Sequence, residues 1–323
     1  MKRARIWIKA LCSAAFLGFL IWYVGRQDLA SVARQADPLY LVLCLLLAPV
    51  MVAASAWKWR IVLHREGAPL PFGLLYRSYL VGYFFSNFLP SNVGGDVARS
   101  YRAGRAAGDQ NLVAASVVVE RITGLLGLLA LVVAVPWLRP ELARHPALLG
   151  PSAMALAGFI LIVVLGLIRW PAPAAGADAV GRWARLRLLL ARFAARSAQA
   201  LATLRRHPGY LAQVAFWTVL FYALALLNVW LAFRAFGVDP AAAELAVVLP
   251  TAMFVAMMPV ALGSLGLAEG SYVFYFGLVG LDPAVTLAMS LLLRIKILLL
   301  GAAGGIVYWT DRSPLPAPPK DKT

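Results

Sequence analysis

Charged residues and cysteines are both scarce in this chain of 323 residues. Only 14% of the residues are Asp, Glu, Lys or Arg, and only two are cysteines. A soluble globule needs more polar surface than this composition supplies, so the soluble classes are excluded. Cys12 and Cys44 both lie inside apolar runs. This placement argues against a disulfide framework and indicates two small core residues.

Acidic residues are the scarcer of the two charge types. Thirty Lys and Arg face fourteen Asp and Glu, which gives a net charge of +16, while 62% of the residues are hydrophobic. On a soluble protein such an excess would suggest nucleic acid. Here the basic residues collect between apolar runs, a pattern typical of cytoplasmic loops that face anionic lipid headgroups. The sequence therefore predicts an integral membrane protein with no nucleic-acid partner.

Six apolar runs are long enough to cross the bilayer, which takes about 20 helical residues. The first is read as a retained span rather than a cleaved signal peptide. The basic residues between the runs place both termini in the cytoplasm of a multi-pass protein of the inner (plasma) membrane. The predicted spans lie near residues 6–24, 38–57, 111–138, 147–169, 209–236 and 284–309.

Two further apolar stretches are interrupted by polar and helix-breaking residues. Residues 71–108 begin and end next to basic segments, so they are predicted to form a re-entrant hairpin that turns at 89–95. Residues 241–281 contain a similar break between two short apolar halves. They form either a second re-entrant hairpin, which enters from the opposite face, or two short spans. Two such hairpins resemble the inverted repeats of transporters.

The fold prediction is accordingly an all-α polytopic membrane protein. It has about six full transmembrane helices and two broken or re-entrant hairpins, alternatively counted as eight spans, in an inverted-repeat-like order. Residues 1–310 form one integral membrane domain, with halves 1–169 and 208–310. An Arg-rich amphipathic linker over 170–207 joins the halves on the anionic inner leaflet, and the Pro-rich tail 311–323 is disordered.

The hairpin breaks carry residue types that suit non-helical backbone at membrane depth. Proline removes a backbone donor, glycine permits tight turns, and asparagine can cap freed backbone groups. Asp96 is expected at the start of a new helix, where a carboxylate is favoured. The predicted break residues are Pro90, Gly94 and Gly95 in the first hairpin and Pro259, Gly263 and Gly266 in the second.

Four sequence blocks resemble the signature of the lysylphosphatidylglycerol synthase transmembrane region, the flippase-like family. They are NFLPSNVGGDVARSYR (87–102), SVVVERITGL (116–125), MPVALGSLGLAEG (258–270) and the late Arg294. The resemblance covers essentially the whole chain and implies movement or handling of a polar lipid. No aminoacyl-transfer domain follows the last span, so lysine transfer is not expected.

Charges inside apolar segments mark the candidate site, since each costs about 2.5–3.5 kcal/mol at the centre of a membrane helix. The predicted headgroup-binding residues are Arg99, Arg121, Arg294, Asn87 and Asn92, with Asp96, Glu120 and Glu269 as charge partners. Arginine suits a lipid phosphate because it binds oxygen pairs in a bidentate manner. The alternative is a set of purely structural ion pairs, for example Glu120 with Arg294 and Glu269 with Arg121.

Three functions remain open. The favoured one is a non-enzymatic transporter that flips an anionic or polyprenyl- or glyco-linked lipid. The others are a transferase that uses a lipid-linked donor, and a non-transporting partner of a lipid-modifying enzyme or glycosyltransferase. No metal or other cofactor is predicted, because His64, His145 and His207 lie in loops without metal-ligand spacing.

Overall fold

The structure, a computed structural model, describes residues 26–88, 93–167, 206–258 and 266–311, together with Gly18 and Trp22. Within these residues every regular element is helical, which confirms the all-α prediction. In chain order the helices are α1 (Arg26–Arg34), α2 (Pro38–Arg65), α3 (Phe72–Phe88), α4 (Val93–Ala107), α5 (Gln110–Ala134), α6 (Pro140–Ala143), α7 (Pro146–Leu167), α8 (Pro208–Ala235), α9 (Ala242–Met257), α10 (Leu267–Gly277) and α11 (Pro283–Thr310).

Five of the described helices are long and apolar enough to cross a membrane, namely α2, α5, α7, α8 and α11. The polytopic membrane fold is thereby confirmed. The predicted first span near 6–24, the linker and the C-terminal tail lie outside the described residues apart from a few end positions.

Asp-Pro pairs explain where two of the long helices begin. Asp37 accepts a hydrogen bond from the Leu39 N–H at 2.8 Å, immediately before α2. Asp282 accepts one from the Ala284 N–H at 2.8 Å, immediately before α11. Proline at the first helical position needs no backbone partner, and the preceding carboxylate caps a free N–H group. These starts are therefore encoded locally.

The two interrupted stretches each form a pair of short helices. Helices α3 and α4 contain 17 and 15 residues, and α9 and α10 contain 16 and 11. At 1.5 Å per residue, even the longest reaches only about 25 Å, less than the roughly 30 Å of hydrocarbon in a bilayer. These lengths favour broken hairpins over ordinary spans in both stretches.

Two sequence predictions need correction, and a third is confirmed. Gly94 and Gly95 were expected in the hairpin turn, but both lie within α4, and neither has a positive φ. The helix before them, α3, ends at Phe88, and α4 begins at Val93. The span predicted to end at 57 continues as α2 to Arg65, because basic side chains do not interrupt a helix. The span predicted over 111–138 is confirmed, because α5 and the short 3₁₀ turn that follows it make one candidate membrane span over Gln110–Leu138.

The chain divides into two compact units, and each is discontinuous in sequence. The first unit comprises 1–51, 128–159 and 221–300, and the second comprises 52–127, 160–220 and 301–323. In the first unit, the hairpin of α9 and α10 packs on an apolar core that includes Phe233, Phe276 and Met289. Cys44 is buried in the same core, in accordance with the sequence prediction.

Candidate functional site

A buried ion pair forms the centre of the second unit. The Arg99 side chain, on α4, is only 2% exposed, and its Nη1 donates to Glu120 Oε2 on α5 at 2.6 Å. The other oxygen of Glu120 accepts a hydrogen bond from the Tyr79 hydroxyl on α3. Three helices are therefore joined through one carboxylate. Such a charge is tolerated away from water only when it is paired and hydrogen-bonded.

Asp96 connects this buried pair to a second arginine. Its Oδ1 accepts from Arg99 Nε at 2.9 Å, one helical turn away. Both of its oxygens also accept from Arg121, Oδ2 from Nε and Oδ1 from Nη2, each at 2.9 Å. The Arg121 side chain is 57% exposed. Asp96 thus makes a bidentate contact with an accessible guanidinium and a single contact with a buried one.

Two aromatic rings fix the Arg99 guanidinium. Its central carbon lies 4.8 Å from the centre of the Trp59 ring and 4.4 Å from that of Tyr79. Trp59 is itself held in place by a hydrogen bond from its indole N–H to Ser116 Oγ at 2.9 Å. Cation–π contacts of this kind are strongest where water is excluded. The guanidinium therefore has a set position that does not depend on a bound molecule.

Two basic side chains of the cluster, Arg99 and Lys58, are not fully paired within the described residues. Arg99 Nη2 is buried and has no hydrogen-bond partner among the described residues. Lys58, on α2, is buried too, and it forms none of the ion pairs found in the described part of the chain. Lys58, Arg99 and Arg121 carry three positive charges, whereas Asp96 and Glu120 carry two negative ones. The cluster is therefore suited to one further anionic group.

Close packing of α3 and α4 explains how this geometry arises. Gly95 lies against the backbone of Gly82 and the hydroxyl of Ser86, with no room for a β-carbon. A β-carbon on Gly82 would in turn lie 3.1 Å from the Gly95 carbonyl oxygen. This approach places Arg99, one turn beyond Gly95, beside Tyr79, one turn before Gly82. The two glycines are therefore needed because they let α3 and α4 approach closely, and neither has the positive φ that would require glycine.

The first unit holds a smaller cluster with similar parts. Glu269 is 2% exposed and accepts hydrogen bonds from the Gly266 N–H at 2.7 Å and from Arg294 Nε at 2.5 Å. Gly266 precedes α10 with a φ of 89°, a conformation that favours glycine. On α11, Lys296 donates to the Asn228 side chain, which in turn donates to the Cys44 carbonyl at 2.8 Å.

The two clusters repeat one spacing. Asp96 and Glu269 each lie in the first turn of the second helix of a hairpin. Each accepts a hydrogen bond from an arginine 25 residues later in the chain, Asp96 from Arg121 and Glu269 from Arg294. Each unit thus contains a broken hairpin, a carboxylate and an arginine on the long helix that follows. This is the pattern expected of an internal repeat.

The structure brings together four of the predicted site residues, Asp96, Arg99, Glu120 and Arg121. The ion pairs differ from the two suggested by the sequence, since Glu120 binds Arg99 and Glu269 binds Arg294. Arg294 and Glu269 belong to the first unit, so a pocket of three arginines stays a prediction. Asn87 lies in the last turn of α3 with its side chain against Gly301 of α11. Asn92, Pro90, Pro259 and Gly263 lie outside the described residues.

Sequence reasoning missed Lys58, Trp59 and Tyr79. Lys58 directly follows the span predicted over 38–57, at a position where a basic residue indicates a cytoplasmic loop. Helix α2 nevertheless continues, and it carries Lys58 and Trp59 into the cluster. The available signal was the order Trp-Lys-Trp-Arg over 57–60, in which charged and aromatic residues alternate. Tyr79 has no such signal, because one more aromatic residue in an apolar run is ordinary.

Comparison with known proteins places these features in a family. The family model described as the lysylphosphatidylglycerol synthase TM region matches residues 6–305. Two proteins of Methanothermobacter thermautotrophicus, each described only as a UPF0104 membrane protein, are similar over most of their length. One is 23% identical, with 90% of each chain covered. The other is 22% identical, with 95% of this chain and 94% of the relative covered. No solved structure matches the chain.

Proposed function

The chain belongs to the family of the lysylphosphatidylglycerol synthase transmembrane region, and from this we propose that it translocates or handles an anionic or polyprenyl- or glyco-linked lipid. Family membership and the apolar helices support a lipid-related role in a membrane. The finer steps, namely flipping and the choice of headgroup, are proposed from the charged clusters. In this proposal the chain is a transporter and not an enzyme.

The observation that carries the proposal is the unmatched positive charge of the second-unit cluster. Residues that serve only to neutralise one another need no excess, because each additional buried charge costs free energy. Here Lys58 is buried near Glu120 without forming an ion pair within the described residues. Arg99 Nη2 also has no partner among those residues. A lipid phosphate would supply the acceptors that these donors lack.

Arg121 is the proposed first contact for the headgroup. Its side chain is accessible, and its two donors already hold the oxygens of Asp96 in a bidentate arrangement. A phosphate presents a similar pair of oxygens. We propose that the headgroup displaces Asp96 from Arg121, while Asp96 keeps its contact with Arg99. The exchange replaces one charge-assisted hydrogen-bonded pair with another, so Arg121 always has an anionic partner.

Arg294 is the proposed counterpart in the first unit. Its Nε donates to the buried Glu269 carboxylate. Asn87, in the last turn of α3, and Asn92 are proposed as polar contacts for the headgroup.

The cellular setting is also a proposal. We place the chain in the inner (plasma) membrane with both termini in the cytoplasm, in contact with anionic lipids of the inner leaflet. A lipid-modifying enzyme or glycosyltransferase is the proposed source or consumer of the transported lipid. Nucleic acid and cofactors have no part in this function.

Replacement of Arg121 by Lys tests the proposal. The substitution keeps the charge and removes the bidentate contact, so we expect lipid movement in reconstituted vesicles to fall by about tenfold or more. The melting temperature should stay near that of the wild type, because Lys can still neutralise Asp96. Arg105→Lys is the matched control, since Arg105 is exposed on α4 and contacts only the Tyr101 ring among its described interactions.

Two results would count against the proposal. Wild-type lipid movement by Arg121→Lys would show that the bidentate contact is not used. Equal losses in Arg121→Lys and Arg105→Lys would show that the assay reports general surface charge. A change in the mass of the lipid after incubation would instead indicate the transferase alternative.

A further inference from the structure

A cavity lies in the second unit, formed by residues that take no part in the Arg99–Glu120 cluster. Its volume is about 390 Å³, and it lies between the C-terminal end of α2 and the N-terminal end of α8. The lining residues include Trp57, Arg60, His64, Arg65, Tyr210 and Gln213. We infer that this cavity binds the phosphate of an anionic membrane phospholipid, held as a resident lipid rather than as transported cargo.

The length of the two helices places the cavity at headgroup depth. Helices α2 and α8 each contain 28 residues. At 1.5 Å per residue each is about 42 Å long, roughly 12 Å longer than the hydrocarbon layer. The ends of both helices therefore extend into the headgroup layer. Trp57 lies at this level with its ring centre 6.0 Å from that of Trp217, and paired tryptophans are typical of the membrane interface.

The charges that face the cavity favour an anion. Arg60 and Arg65 contribute two positive charges to the lining. The acidic residue nearby is Glu66, which is close enough to act electrostatically on Tyr210. The two arginines therefore outnumber the one acidic residue. The first backbone N–H groups of α8 also point toward this end and add a partial positive charge.

A buried hydroxyl gives an independent indication of a bound acceptor. Tyr210 is 5% exposed, and its hydroxyl has no hydrogen-bond partner among the described residues. A buried hydroxyl without a partner costs free energy, so such groups are rarely left unsatisfied. A phosphate oxygen in the cavity would accept this hydrogen bond. The phosphate would therefore supply the hydrogen-bond acceptor that the surrounding described side chains do not.

Aromatic contacts hold the two arginines without using their donors. The Arg60 guanidinium lies 5.0 Å from the centre of the Trp57 ring, and that of Arg65 lies 5.9 Å from the Tyr210 ring. Neither arginine forms an ion pair within the described residues. Stacked guanidinium groups with free N–H donors are well arranged for phosphate oxygens.

Native mass spectrometry of the purified full chain, titrated with phosphatidylglycerol, tests the inference. We expect the tightest-bound lipid to dissociate about tenfold more readily, or more, from Arg60→Gln/Arg65→Gln than from the wild type. The matched control, Arg34→Gln/Arg144→Gln, likewise removes two positive charges, at exposed positions outside the cavity, and should retain the lipid. Tyr210→Phe should weaken retention severalfold without lowering the melting temperature, and this variant decides the matter if the double variant does not fold.

The comparison ligands distinguish a lipid site from a free anion site. Phosphatidylcholine, whose headgroup has no net charge, should be retained less than phosphatidylglycerol, and inorganic phosphate at millimolar concentration should not displace the lipid. Displacement by inorganic phosphate would overturn the lipid assignment. Equal retention by the wild type and by Arg60→Gln/Arg65→Gln would overturn the site itself. Because the readout is retention, it does not depend on whether the protein transports lipid.

Discussion

Gly304, on α11, offers the most direct test of the packing that supports the site. A β-carbon at this position would overlap the carbonyl group of Leu80 on α3 and would lie 3.1 Å from the Val81 nitrogen. The obstructing atoms are backbone, so no side-chain rotation can relieve the overlap. The only relief is movement of one helix away from the other. Gly301 and Gly305 flank the contact at the four-residue spacing common where membrane helices pack closely.

The expected cost of Gly304→Ala follows from two opposing effects. Overpacking costs about 1–3 kcal/mol, and contact with rigid backbone places this case at the upper end. Replacement of glycine by alanine within a helix returns about 1 kcal/mol. The net loss of stability is therefore about 2 kcal/mol, which lowers the ratio of folded to unfolded protein about 30-fold.

Gly73→Ala is the matched control for this experiment. Gly73 also lies in a helix of the second unit, and a β-carbon there would meet nothing within 4 Å. This variant should melt at or slightly above the wild-type temperature in detergent, whereas Gly304→Ala should melt several degrees lower. Lipid movement should fall as well, because Tyr79, which binds Glu120, immediately precedes Leu80. Equal melting temperatures for the two variants would refute the argument from close approach.

Two other predictions concern charge. Arg294→Gln leaves the buried Glu269 carboxylate without its arginine, so this variant should be less stable than the wild type. The double variant Arg294→Gln/Glu269→Gln also removes that charge, so its stability should recover, whereas lipid movement should stay low. Full recovery of lipid movement in the double variant would mean that the pair is only structural. Burial raises the pKa of Glu66, whose Oε1 has no hydrogen-bond partner among the described residues. Its ionised form therefore opposes folding at neutral pH, and stability from this group increases as the pH falls through the raised pKa. Glu66→Gln should raise the melting temperature at pH 7 and have no effect at acidic pH; a lower melting temperature at pH 7 would reveal a stabilising partner for the carboxylate.

Local sequence was sufficient for the class of protein and for most of the long helices. Whether a segment enters a bilayer depends on its summed hydropathy, which needs no knowledge of its neighbours. The helix starts at Pro38 and Pro283 are equally local, because an Asp cap and a proline act within one turn. Asp96 was correctly predicted to lie at the start of a helix for the same reason.

Tertiary structure decided which charges meet. The sequence shows that Glu120 and the arginines lie in apolar surroundings, but partner choice depends on the rotation and approach of helices that are distant in sequence. Glu120 therefore binds Arg99, 21 residues away, while its neighbour Arg121 turns to Asp96. Gly95 was predicted for its backbone freedom and instead allows α3 and α4 to touch. Lys58 joins the cluster because α2 continues past the end of its apolar run, and hydropathy cannot reveal that a charge will be buried by packing.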